Sequence, residues 1–476
     1  MGIARRVAKN TGVLFLGNVL CRVFSVLIFA YLARVIGDVG LGKYAFAVSF
    51  VTIFFMTTDM GIGTLAVREV AEDESRAGKY LGNIGLMRVG LSIIGFIIIC
   101  LAIGILNCPA ETKLIIYILG GSYFFLALSD GFKWCFQAFQ KFEYSALLNI
   151  IQNISLLIFG FPILLLDYGL VGFVIIHFFV SILYLFFTLL FVIKRFARPK
   201  FEIDIPFWKE LGRKSIPFMT LIVIAILFVN LDNIMLSRIA GDAVTGWYSA
   251  SAKLAHFLKT LPVYFATALF PVLVNLHKSE SKGFIYIFNK SSQYMLMIGI
   301  PLAVGTTILT DKIILLIYGG KFVNSIPVLK ILIWTIPLVF IQSICIQALV
   351  SINRERNITY ITGTGLVVTV VLYFILIPKL KHIGVSLSVF SGDLLITLWG
   401  FIYLSKVKEG ITLFSTQTFK IIFASIIMGM FLYLGRNFNL FLCIGAGVAI
   451  YILLLLLFKG VSKEDWEMIK RIRTAS

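Results

Sequence analysis

Residues 81–106 read LGNIGLMRVGLSIIGFIIICLAIGIL, with Arg88 as the single charge. As a helix rising 1.5 Å per residue this run would reach about 39 Å, more than the roughly 30 Å of hydrocarbon in a bilayer. It predicts a helix that crosses a membrane. Working outward, comparable apolar runs lie between charged residues near Thr11–Val35, Gly40–Leu65, Leu114–Ala138, Ser145–Leu166 and Gly169–Ile193. They continue near Ile216–Ala240, Gly246–Asn275, Ser291–Leu309, Ile326–Val350, Thr359–Ile377, Gly384–Leu404, Phe414–Leu434 and Phe438–Leu457. The fold expected from this count is all-α, with about fourteen transmembrane helices.

Composition agrees. Apolar residues make up 59% of the chain, charged residues 14%, and mean hydropathy is +0.99, whereas soluble domains are about 25% charged. The net charge of +19 is spread between apolar runs and not gathered into a stripe, which argues against a nucleic-acid partner. Cys21, Cys100, Cys108, Cys135, Cys345 and Cys443 show no metal-ligand spacing, so neither a metal site nor a disulfide framework is expected. The start, Met1 to Arg6, looks like a signal-peptide head, but the apolar run behind it is too long and lacks a cleavage site, so it is read as helix 1.

Lys and Arg concentrate on the side of the bilayer where insertion begins. With Arg5 and Arg6 inside, the inner loops and termini hold roughly 26 of them against about 10 outside, placing both termini in the cytoplasm. The longest loop, Lys194 to Lys214, carries Trp208 and is expected either to lie on anionic lipid or to serve as a plain linker. No loop approaches the roughly 50 residues of a small domain, so no catalytic domain and no enzyme activity is expected. A polymerase or ligase of lipid-linked sugars would have a large outward loop, and this chain has none.

Leu32-Ala33-Arg34-Val35-Ile36-Gly37-Asp38-Val39-Gly40-Leu41-Gly42-Lys43-Tyr44 aligns without gaps on Leu236-Ser237-Arg238-Ile239-Ala240-Gly241-Asp242-Ala243-Val244-Thr245-Gly246-Trp247-Tyr248. Six positions are identical, which reads as an internal repeat; turn chemistry at two outer corners is the alternative. The offset spans six helices, an even number, so the halves share one orientation and a site is expected between them.

Ionisable residues at mid-span cost about 2.5–3.5 kcal/mol each on insertion scales, so each should face a cavity or a partner. They are Arg22, Asp59, Arg88, Asp130, Lys133, Asp232, Lys253, Lys259 and Asp393. Counting residues from the intervening turns puts Asp59 level with Arg88, and Asp232 level with Lys253, so that either could pair or serve a site. Lys253, His256 and Lys259 share one helix face ahead of Pro262. They are read as a cationic stripe lining a wet cavity that takes an anion, with end-snorkelling as the alternative.

These residues resemble the polysaccharide-biosynthesis flippases of the multidrug/oligosaccharidyl-lipid/polysaccharide exporter superfamily. The resemblance rests on the Leu32–Tyr44 corner, Asp59-Met60-Gly61 leading to Arg68-Glu69, Asp232-Asn233 before Gly246-Trp247-Tyr248, Leu269-Phe270-Pro271, and Ile317 to Phe322. It implies two six-helix lobes forming a V with two helices appended: residues 1–193, a connector at 194–215, 216–404, and 405–476. It also implies a polyprenyl-pyrophosphate-linked sugar as substrate, turned from the inner to the outer leaflet of the cytoplasmic membrane. Arg22, Arg88, Lys253, His256 and Lys259 are the expected substrate-binding residues. Asp59, Asp130, Asp232 and Asp393 are expected in ion pairs or in coupling to Na⁺ or H⁺. No cofactor is expected, and the protein is expected to act as a monomer among membrane lipid, with association with glycan-assembly enzymes as a further expectation. Two relatives of the same superfamily stay open as alternatives, a cation-coupled multidrug antiporter and a lipid-linked peptidoglycan precursor flippase.

Overall fold

The computed structural model describes residues 3–58, 61–106, 108–200, 202–279, 281–413, 415–458 and 460. Among these there is no strand. The helices are α1 (Ile3–Phe55), α2 (Ile62–Glu72), α3 (Ala77–Ile105), α4 (Ala110–Ala138), α5 (Phe142–Ser155), α6 (Phe161–Leu165), α7 (Gly169–Arg195) and α8 (Ile205–Ala240). There follow α9 (Asp242–Lys259), α10 (Leu261–Ser279), α11 (Ser281–Ile317), α12 (Ile326–Leu332), α13 (Thr335–Ser351), α14 (Glu355–Val407), α15 (Thr416–Leu434) and α16 (Leu440–Leu457).

Eleven helices among the described residues are long and apolar enough to cross a membrane, or up to twelve if Gly320–Leu332 and Thr335–Ser351, bent by 43°, form one span. The expected fourteen segments are not all separate elements here, because two pairs of them are joined end to end in α1 and α14, each across one non-helical residue. Within α1 the only non-helical residue is Gly37 (φ 73°, ψ −173°), and within α14 it is Lys381 (φ 50°, ψ −125°). In α14 the chain folds back on itself there: Gly392 lies against Thr369, and Gly365 against Ile396. Small residues at such contacts let helix backbones approach, which is how packing energy is gained where lipid removes the hydrophobic drive. The span 142–165 also departs from α-geometry, with a π-turn at Leu156–Gly160 just ahead of Pro162, whose ring cannot accept a regular preceding turn.

The chain forms two compact units, Met1–Ser249 and Ala250–Ser476. The division falls inside α9, beyond the connector expected to separate the lobes, because α8 packs on α1 and α2. In the first unit α4 is central, packed on α3, α7, α1 and α2. In the second, α13 packs on α10, α11 and α14, while α15 joins through α11 and holds α16.

The repeated corner is built the same way twice. Gly241 (φ 90°, ψ 170°) matches Gly37, both in the region open to glycine. The two corners meet reciprocally: a Cβ on Gly42 would stand 1.8 Å from the Asp242 carbonyl oxygen, and one on Gly246 would stand 2.0 Å from that of Asp38. Asp38 also accepts the Trp247 indole N–H at 2.9 Å. Each copy's glycine thus seats the other copy's backbone. Gly42→Ala or Gly246→Ala should each lower stability by about 1–3 kcal/mol, as overpacking does. The double variant should cost less than the sum, since the first opening relieves the second; additive losses in thermal unfolding would deny the shared contact.

The connector docks on protein. The Asn83 side-chain oxygen accepts the Trp208 indole N–H at 2.7 Å and the Asp204 backbone N–H at 3.3 Å. Lys79 meets Asp204 at 2.8 Å, and Phe207 stands edge-on to Tyr80. Gly78 leaves room for the chain at Arg198. The Lys79 ammonium and the Phe207 N–H hold the Asp204 carboxyl below its usual value. That contribution is present above the unfolded carboxylate pKa, about 3.9, and is lost as pH falls through the lower folded value. Asn83→Ala should speed tryptic cleavage at Lys200 and Lys209 about tenfold, the released segment being a better substrate; unchanged cleavage would mean that Asn83 does not hold it.

Candidate functional site

The second limb of α1 ends in a 3₁₀ turn at Met56–Thr58, and the chain resumes at Gly61 in a left-handed conformation (φ 73°, ψ 6°) before α2. A cavity of about 480 Å³ lies there, walled by Thr52, Thr58, Gly63 and Thr64 along the break and by Arg88 of α3. Tyr123, Asp130, Lys133, Trp134 and Gln137 of α4 line it too, and Ile222 and Ile226 of α8 form an apolar side.

Arg88 is 2% exposed and donates from Nη1 to the Ala127 carbonyl at 3.0 Å. Gly131 makes this passage possible, since a Cβ there would stand 2.6 Å from Arg88 Cδ. One turn on, Lys133 pairs with Asp130 at 3.1 Å, and its ammonium lies 5.5 Å from the centre of the Tyr184 ring. Thr52 donates to the Tyr123 hydroxyl at 3.1 Å. Trp134 is 3% exposed, and its indole N–H has no hydrogen-bond partner among the described residues. An unmet buried donor costs about 1–3 kcal/mol, which a ligand acceptor would recover.

The other expected residues are distributed as follows. Arg22 lies on α1, fifteen residues before the Gly37 turn, hence about 22 Å deep; it is exposed and has no ion-pair partner among the described residues. Asp59, expected beside Arg88, lies outside the described residues. Asp232 is 2% exposed and accepts the Tyr248 hydroxyl at 2.7 Å and the Asn233 N–H at 2.6 Å. Asn233 in turn bridges Ser49 of α1 and Ser249 of α9. Lys253 and His256 are half-buried on α9. Lys259 departs from the expected free stripe. Its ammonium meets Asp393 at 2.8 Å, with side chains 13% and 4% exposed, and Gln342 donates to the Asp393 carbonyl at 2.8 Å. Lys259 reaches an anion only by giving up that partner.

The structure brings Arg88 and Asp130 into one cavity and adds Lys133, Trp134, Gln137, Thr52 and Tyr123, which the sequence had not joined. The available signal was Asp59-Met60-Gly61, a glycine ahead of the next helix, together with the Asp130/Lys133 spacing of three.

Residues 7–277 match the family described as polysaccharide biosynthesis protein. An uncharacterised membrane protein of Methanocaldococcus jannaschii is 21% identical over 420 residues, covering 80% of this chain and 81% of its own length. A lipid II flippase MurJ in an inward closed conformation superposes with a TM-score of 0.77 at 19% identity, over 95% of this chain and 99% of its own. An inward-facing multidrug resistance MATE family transporter gives a TM-score of 0.67 at 15% identity, over 82% and 96%. The matched residues cover more than half of the sequence, and the chain belongs to the polysaccharide biosynthesis protein family.

Proposed function

We propose that the protein is a flippase carrying a polyprenyl-pyrophosphate-linked oligosaccharide from the inner to the outer leaflet of the cytoplasmic membrane, by alternating access. The observation that supports this reading is Arg22, an exposed guanidinium deep in an apolar span with no countercharge among the described residues. Such a group is too costly to leave in hydrocarbon and suits a water-filled route and an anionic cargo. In this reading Arg22, Arg88, Lys253 and His256 serve the head group, with Lys259 available once its pair with Asp393 parts. Two negative charges moving outward across about 100 mV, inside negative, would release roughly 4.6 kcal/mol, enough to favour export. Asp59 and Asp232 are the residues for Na⁺ or H⁺ coupling, and both termini face the cytoplasm.

A lipid-linked peptidoglycan precursor is a second cargo of the same chemistry, suggested by the likeness to the lipid II flippase. Both readings are tested by one assay. The purified chain in liposomes should make a fluorescent lipid-linked sugar accessible to a membrane-impermeant quencher, and the preferred cargo decides between them. Export of cationic drugs with no movement of either lipid would overturn both in favour of an antiporter.

A further inference from the structure

We infer that the cavity at the break between α1 and α2 is the sugar subsite of the cargo, holding the saccharide nearest the pyrophosphate and leaving the phosphates to cations outside it. The inference rests on the flippase reading and assigns one part of the cargo to one set of residues. At about 480 Å³ the cavity is of the size that encloses a small ligand, roughly 300–1,000 Å³. It takes a short saccharide and no long glycan.

Its chemistry is that of a polyhydroxylated ring. A pocket for phosphate would present donors alone, but here the Asp130 carboxylate and the Gln137 amide, both exposed on the same wall, offer acceptors beside the donors Arg88 and Lys133. A sugar hydroxyl both donates and accepts, so such mixed pairs serve it while a lone anion would meet the carboxylate. The buried Trp134, in the cavity wall, supplies an indole N–H with no hydrogen-bond partner among the described residues. The first turn of α2, at Gly63 and Thr64, adds backbone N–H groups that a helix start leaves without helical partners. An apolar drug would leave these groups unmet. Lys133 and Asp130, already joined at 3.1 Å, keep the wall satisfied when the cavity is empty and can each turn to a hydroxyl without separating charge.

The test compares two synthetic ligands on the purified chain in a detergent without a sugar head. One is geranylgeranyl pyrophosphate, and the other is the same lipid pyrophosphate bearing N-acetylglucosamine. The wild-type chain should bind the sugar-bearing ligand about tenfold more tightly. Trp134→Phe and Gln137→Leu should bring that ratio to about one while leaving affinity for the bare lipid pyrophosphate unchanged, a signature that misfolding would not give. Equal binding of the two ligands by the wild type would overturn the subsite and leave the flippase reading standing. Equal loss of both ligands in the variants would assign the cavity to phosphate instead. Binding of neither ligand by the wild type would remove the flippase reading and the subsite with it.

Discussion

Arg22→Ala is expected to reduce flipping of a lipid-linked sugar at least a hundredfold while the chain still inserts and purifies in normal yield. A guanidinium grips phosphate through two parallel charge-assisted hydrogen bonds, and removing one partner of a desolvated charge pair costs about 2–5 kcal/mol. A loss of about 2.7 kcal/mol is already a hundredfold in rate. Insertion should not suffer, since alanine is better tolerated in a span than arginine and Arg22 has no partner among the described residues to strand. Arg22→Lys keeps the charge and loses the fork, so an intermediate loss near tenfold is expected. The readout is quencher accessibility of labelled cargo in proteoliposomes. Wild-type rates in Arg22→Ala would remove Arg22 from the cargo's path and leave the fold as described.

Breaking the pair between Lys259 and Asp393 should damage stability most. With side chains 13% and 4% exposed and 2.8 Å between charges, either Lys259→Ala or Asp393→Ala leaves a buried charge alone, at a cost of about 3–5 kcal/mol. Replacing both, as Lys259→Met with Asp393→Leu, should recover most of that, because two apolar side chains need no countercharge. Thermal unfolding in detergent measures both. Flipping by the double variant carries a second result: retained transport would show that Lys259 serves architecture, and lost transport with recovered stability would place it on the cargo.

Much of the fold was legible because the bilayer imposes a long apolar period that few other structures share. The repeat was legible for a different reason. Gly37 and Gly241 both need a conformation that other residues resist, and Gly42 and Gly246 both need the absence of a Cβ, so the same letters recur wherever the same geometry does. Helix count and span count differ at Gly37 and Lys381, where two expected segments meet at a single non-helical residue. The site was legible only in part. Depth along a helix can be counted from a turn, and both Arg88 and Asp130, picked out in that way, line the one cavity. Direction around the helix and the identity of the facing helix cannot be counted. Lys259 therefore read as a member of a free stripe, although Asp393, 134 residues further on, holds it. For the same reason the partner of the Trp208 indole, the Asn83 side chain, could not be read from the connector's composition.

The reciprocal corner has a consequence for ancestry. A contact in which each copy of a motif supplies the knob for the other's hollow is isologous, the kind that joins identical subunits about a two-fold axis. A half-length progenitor bearing only the Gly37–Tyr44 motif would have possessed both complementary surfaces and could have paired with its twin before fusion. Drift in either copy would then be checked by its counterpart, and the two stretches, 204 positions apart, would be expected to change together.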